Sequence, residues 1–218
     1  MASANDYNRS HWTKKIPKYL SEDWSTKPSP FAQEVAKHLS PDQTLLELGT
    51  GAGQDGLWLA GKVKKVVLSD GHDVAFDEIR QRAKAKGILN LDLQTVDITK
   101  VFPFDDSSFD VVYAQLVLHY FDDETMHKIM SEIKRVLRPG GLLACMVNSI
   151  KDEEYNPDQV NDDGLILVDG LIKRYFDEDS FEPFVEGFEA VLLDSRGKTP
   201  KDDAVSNSGM VRFIGKKD

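Results

Sequence analysis

The chain has 218 residues, a formal net charge of −10 and a single cysteine, Cys145. That length suits one α/β domain, since a single hydrophobic core stays efficient up to ~250 residues. The acidic balance repels phosphate backbones, and the basic stretches 62–65 and 80–86 read as solvated helix ends, so no nucleic-acid partner is expected. One cysteine excludes an internal disulfide framework and a multi-cysteine metal cluster. No apolar run approaches the ~18 residues of a membrane span, and the N-terminus lacks a signal-like apolar stretch. A cytoplasmic chain without membrane contact or metal, monomeric or homodimeric, is the expectation.

In chain order, residues 1–30 are polar, with Trp12, Tyr19 and Trp24 scattered among them and Pro28 and Pro30 near the end. They read as an N-terminal arm on a domain spanning 31–218. Apolar residues at helical spacing predict a helix over 31–39. Strand-like and helical runs then alternate: strands at 44–48, 65–69, 91–96, 109–114 and 142–149, and helices at 54–62, 73–86 and 124–137. The Arg138-Pro139-Gly140-Gly141 run is read as the stop of the last helix. Such alternation implies a parallel sheet covered by helices on both faces. The last third departs from it. Residues 151–163 are acidic and loop-like, 165–176 resemble strand or hairpin material, and a short helix precedes two closing strands that form an antiparallel hairpin.

The strongest local signal is Glu47-Leu48-Gly49-Thr50-Gly51-Ala52-Gly53, between a strand and a helix. Glycines there permit a tight turn and close approach of a ligand to backbone N–H groups. Residues 51–56 also satisfy G-x-G-x-x-G, which by itself is equally a dinucleotide signature. Glu47 shifts the balance, because a carboxylate before the first glycine suits a cationic ligand and repels a pyrophosphate. Asp70 ends the second strand, where it can accept from ribose hydroxyls. Asp97 follows the third strand, where it can accept from an adenine amino group while Ile98 packs on the ring. Three neighbouring strand ends would thus line one crevice.

The pieces ELGTGAG, LSD, TVDI, PFDDSSFDVVYAQLVLHYF and IKRVLRPGGLLACMVN run in order over about 45–148. Together they resemble the class I S-adenosylmethionine (SAM)-dependent methyltransferase family. The resemblance implies a Rossmann-like, doubly wound seven-stranded sheet of order 3-2-1-4-5-7-6 with strand 7 antiparallel. It implies SAM as cofactor, with Asp70 and the following Gly71 at the ribose and Asp97 and Ile98 at the adenine. Gly49, Thr50, Gly51 and Gly53 would hold the methionine part, and Glu47 would organise the loop or meet the amino group. The Gly71-His72 pair departs from the family, which often carries an apolar residue there.

Methyl transfer from a sulfonium requires alignment more than acid–base chemistry, so no catalytic triad is expected. Gln115 stands where family members often carry Asn or Ser and is a candidate to orient cofactor or acceptor. His119 is a candidate base, its alternative being a packing role. Cys145, in an apolar strand, is expected to be core. The arm resembles the start of thiopurine- and tellurite-resistance-type methyltransferases, so Trp12, Tyr19 and Trp24 are expected to close over the cofactor, Trp12 among the binding residues. Arg174 and Tyr175 are candidates for acceptor contact. The expected acceptor is a small molecule. A nucleotide-dependent oxidoreductase and a non-catalytic SAM-binding interaction module are the competing readings.

Overall fold

The computed structural model describes residues 4–199 and 209–218. Five parallel strands form the body of the sheet: β1 (Thr44–Leu48), β2 (Lys65–Asp70), β3 (Leu91–Thr95), β4 (Phe109–Gln115) and β5 (Leu137–Val147). A separate hairpin of β6 (Ile166–Val168) and β7 (Leu171–Lys173) follows in the chain. Its turn, Asp169-Gly170, has φ of 49° and 73°, the left-handed pair that a two-residue turn needs to match strand twist. β8 (Phe188–Gly197) and β9 (Met210–Lys217) complete a seven-stranded sheet of order β3-β2-β1-β4-β5-β9-β8, in which β9 alone runs against the rest. This is the topology the resemblance implied, with the last two strands renumbered by the hairpin.

Both faces of the sheet are covered, which is why its strands read as near-continuous apolar runs. Along β4, Val111 and Tyr113 join one core cluster and Val112 and Ala114 the other; along β5, Leu142, Ala144 and Met146 alternate with Leu143, Cys145 and Val147 in the same way. On one face lie α2 (Pro30–Val35), α3 (Gln54–Leu59) and α4 (Phe76–Ala85), which bury Phe31, Leu57 and Ile79 against the sheet. On the other face α5 (Asp123–Val136) buries Met126, Ile129, Met130, Ile133 and Val136, a single stripe at helical spacing. The Asp122 carboxylate caps α5 by accepting from the Thr125 N–H at 2.8 Å, and Lys134 and Arg135 complement the dipole at its last turn. The short α6 (Glu178–Phe181) adds Phe181 to this cluster. Cys145 is fully buried there, and burial pushes its thiol pKa up, as suits a core residue.

Two details differ from the sequence reading. Arg138–Gly141 does not merely stop α5. β5 begins directly at Leu137, which pairs with Phe109, and Val111 next pairs with Leu142, so the four residues bulge from the strand. The bulge carries Arg138 to Asp110 at 2.5 Å, and Asp110 also accepts from the Thr44 N–H at 2.7 Å. The arm, to which the sequence assigned no helix, is largely one helix, α1 (Ala4–Tyr19). It is tied to the β6–β7 hairpin by Asn8, whose amide donates to the Ile172 carbonyl at 2.7 Å and accepts from the Ile172 N–H at 2.8 Å. Among the described residues no helix is long and apolar enough to cross a membrane.

From β1 the chain winds outward through β2 to β3, then returns to place β4 on the other side of β1. That reversal opens a crevice at the carboxyl ends of the strands. The glycine loop at its floor depends on Gly53, which has φ +77° and whose added Cβ would stand 2.7 Å from the Ile79 side chain. Gly53→Ala is expected to lower stability by about 2–4 kcal/mol, combining left-handed strain with overpacking. Urea titration checks this; a midpoint equal to wild type would refute it.

Candidate functional site

A cavity of about 480 Å³ occupies this crevice, within the range of small-molecule sites. Glu47, Asp70 and Asp97, from three neighbouring strand ends, all line it. The loop between β1 and α3 supplies its floor. Gly49 and Gly51 have φ of 70° and 53°, and nothing lies within 4 Å of where a Cβ at Gly51 or Gly71 would stand. Both present bare backbone to the cavity. Thr50 donates through its N–H to the Ser69 carbonyl at 2.9 Å and through its hydroxyl to Glu47 Oε2 at 2.7 Å, which fixes the loop to its flanking strands.

Asp70 is held between two partners. Its Oδ2 accepts from the Gly51 N–H at 2.9 Å, while Oδ1 accepts from the His72 N–H at 3.1 Å and lies 3.2 Å from His72 Nδ1. The carboxylate therefore shapes the glycine loop as well as facing the cavity. The opposite imidazole nitrogen, His72 Nε2, is buried without a protein partner. Asp97 uses Oδ1 to accept from the Thr99 N–H at 3.0 Å and hydroxyl at 2.6 Å, a local turn that leaves its other oxygen outside these bonds. Ile98 lies beside it on the wall.

Glu47 is almost fully buried, and burial, with Asp55 adding repulsion, raises its pKa well above the carboxylate range. Asp55, in the first turn of α3, is also raised by burial, but the Ser29 N–H, the Tyr113 hydroxyl and the Ser29 hydroxyl oppose that shift. A proton on the pair therefore resides on Glu47. The pair carries no lysine or arginine partner among the described residues. Such a site favours a cation.

Above the floor, α1 supplies Trp12, Tyr19 and the neighbouring Trp24 follows it; Trp12 meets both Tyr19 and Tyr120 edge to face at 5.9 and 5.8 Å between ring centroids. Gln115, at the end of β4, and His119, just beyond it, line the same cavity. His119 is 1% exposed, its Nδ1 has no partner, and burial, with Lys173 adding repulsion, lowers its pKa to about 3. The imidazole is neutral across the physiological range.

Three sequence candidates fall outside the cavity lining. Gly53 packs against Ile79 instead. Arg174 turns away to pair with Asp123 and cover the Phe176 and Phe184 rings, and Tyr175 donates to Glu154 at 3.0 Å. Their neighbour Lys173 lines the cavity and pairs with Glu154 at 2.6 Å. Alternation continued past β7 explains Arg174, which faces away from the side of Leu171 and Lys173; Tyr175 shares their parity and is held by the same Glu154 as Lys173. Sequence reasoning missed Lys173, Asn8 and the buried Asp55; only Asp55 carried a signal, a carboxylate in the first turn after a glycine loop.

Residues 45–141 match the family model of a methyltransferase domain. An uncharacterized methyltransferase of Synechocystis sp. is 32% identical over 108 residues, 49% of this chain and 47% of that protein. The sarcosine/dimethylglycine N-methyltransferase of Halorhodospira halochloris is 34% identical over 110 residues, 49% of this chain and 38% of its own length. The chain thus spans less than half the length of these relatives in the matched region. Among solved structures, a SAM-dependent methyltransferase from Aquifex aeolicus superposes with a TM-score of 0.65 at 18% identity, covering 94% of this chain and 97% of that one. Residues 45–141 thus match a methyltransferase domain, and the chain shares its fold with a methyltransferase that depends on S-adenosylmethionine.

The residues present fit that cofactor on chemical grounds: bare backbone at Gly51 and Gly71, acceptors at Asp70 and Asp97, and a cation-favouring pair at Glu47 and Asp55. Because the Glu47 carboxyl holds its proton more tightly folded than unfolded, its contribution to stability is full below the ordinary carboxylate range and fades as pH rises above it. Glu47→Gln should remove that loss and raise the melting temperature near neutral pH by about 2–4 °C, or ~1 kcal/mol. Thermal melts between about pH 5 and 9 test this, and parallel curves for variant and wild type would discard the assignment.

Proposed function

We propose that the chain binds SAM across the carboxyl ends of β1, β2, β3 and β4 and methylates a small-molecule acceptor held between that floor and α1. The carrying observation is that one cavity joins the glycine-loop backbone and three strand-end carboxyl groups to a wall of aromatic rings and a neutral imidazole. In this reading Asp70 accepts from the ribose, Asp97 with Ile98 holds the adenine, and Gly49, Thr50 and Gly51 cradle the methionine half. Gly53 serves the loop's shape rather than the ligand. When bound, the cofactor supplies a sulfonium methyl that an acceptor lone pair takes in line, the carbon–sulfur bond breaking with its electron pair going to sulfur.

The protein's task is then alignment and exclusion of water. Trp12, Tyr19 and Trp24 close the arm side of the cavity, with residues 1–30 acting as a lid on the domain of 31–218. Aromatic faces there also attract the sulfonium. His119, neutral because it is buried, orients the acceptor through its free nitrogen rather than storing a proton. The volume of about 480 Å³ supports a small acceptor, as does the small substrate in the name of the Halorhodospira relative.

Calorimetric titration with SAM and with NADH tests the cofactor, and tight NADH binding without SAM binding would end this reading. Asp70→Ala should weaken SAM at least ~tenfold, since ribose hydroxyls lose their acceptor and the Gly51 N–H its anchor. Unchanged affinity in a folded variant would reject the ribose assignment.

A further inference from the structure

Beneath the cavity floor, Ser29, Asp55, Tyr113 and Gln115 form one largely buried polar knot drawn from three distant parts of the chain. Asp55 Oδ1 accepts from the Ser29 N–H at 2.6 Å. Asp55 Oδ2 lies 2.8 Å from the Ser29 hydroxyl and 2.7 Å from the Tyr113 hydroxyl. The inner amide atom of Gln115 lies 2.7 and 2.5 Å from the same two hydroxyls. The Ser29 hydroxyl also accepts from the Ala32 N–H at 3.0 Å, capping α2.

Hydrogen counting decides how the Gln115 amide is turned. Its oxygen and nitrogen are nearly isosteric, so the surrounding donors and acceptors must assign them. With oxygen inward, two hydroxyl hydrogens face four contacts. Protonating Asp55 adds one hydrogen and still leaves a contact unmade. With nitrogen inward, both amide hydrogens go to the two hydroxyls, both hydroxyls donate to an ionised Asp55, and all four of these contacts are satisfied; only the longer 3.4 Å approach of the two hydroxyls to each other carries no hydrogen. Buried polar groups overwhelmingly adopt the satisfied arrangement.

We propose that Ser29, Asp55 and Tyr113 are positioning residues that lock Gln115 with its carbonyl oxygen toward the cavity, where it accepts from the α-ammonium of the cofactor's methionine half. Gln115 lines the cavity, and the register gives its level on the sheet. Tyr113 is paired with Glu47 across β4 and β1, and Gln115 lies two residues further, level with Gly49 at the start of the glycine loop. The ionised Asp55 beside it adds the negative field that an ammonium requires. Ser29 also stands at the end of the arm, so the start of α2 and the polarity of Gln115 are set by one network.

The inference rests on the cofactor reading above, and two probes keep their failures apart. S-adenosylhomocysteine carries the ammonium; 5′-methylthioadenosine shares the adenosyl thioether and lacks the amino-acid half. Gln115→Leu should weaken S-adenosylhomocysteine about tenfold and leave methylthioadenosine within about twofold. Tyr113→Phe should show the same selective loss, several-fold in size, because the amide is free to turn once a hydroxyl is gone. The double variant should bind no more weakly than Gln115→Leu alone, since both act through one oxygen. Ser29→Ala repeats the test if Tyr113→Phe does not fold. Equal loss of both probes, additive losses, or no loss would overturn the lock. A wild-type chain that binds neither probe would overturn the cofactor reading itself.

Discussion

Two carboxyl groups, Glu47 and Asp55, are buried side by side at the end of β1 with hydroxyl and backbone N–H partners and no described basic side chain to neutralise them. Burying like charges is unfavourable, and the chain relieves it by holding a proton on one and surrounding the other with donors. Much of the local architecture follows. Gly56 must be a glycine, because an added Cβ would stand 2.2 Å from Glu47 Oε2 and 2.1 Å from Leu68. Ser29 must cap α2 where it does to reach Asp55, and Tyr113 must interrupt an apolar strand to bring its hydroxyl. Departures from an apolar core of this kind concentrate where a ligand is bound.

The two sides of the cavity have different origins. Its floor comes from the parallel sheet, whose strand ends and glycine turn are fixed by backbone pairing and packing. Its upper wall comes from α1 and the β6–β7 hairpin, which touch the sheet through fewer buried side chains, Ile16 and Leu171 among them. On the function proposed above, this division keeps cofactor recognition at the floor apart from acceptor choice at the wall.

Most of the frame was legible in the sequence. The apolar runs placed the strands of the sheet, most clearly β1, β2, β4 and β5, which are buried on both faces and therefore apolar nearly throughout. Glu47, Asp70 and Asp97 were placed together correctly, since each directly follows or ends a strand and parallel strands bring such ends to one edge. What escaped had physical reasons. α1 packs on a cavity and a hairpin rather than on the sheet, so it lacks a regular apolar stripe. Arg138–Gly141 contains the residues of a helix stop, yet pairing of Leu137 with Phe109 draws it into β5 as a bulge. Arg174 was preferred to Lys173 although only one parity of β7 faces the cavity. The knot around Asp55 joins positions 29, 55, 113 and 115, and no local pattern encodes such a meeting.

Asn8 has a consequence for how the cavity opens. Its single amide satisfies both backbone groups of Ile172, standing in for a neighbouring strand at the edge of β7. Helix and hairpin are thereby fastened as one body. Any swing of α1 away from the sheet must either carry β6 and β7 along or break two hydrogen bonds together, at roughly 1 kcal/mol each. Access to the interior is thus governed one helical turn from Trp12, on the same side of the cavity.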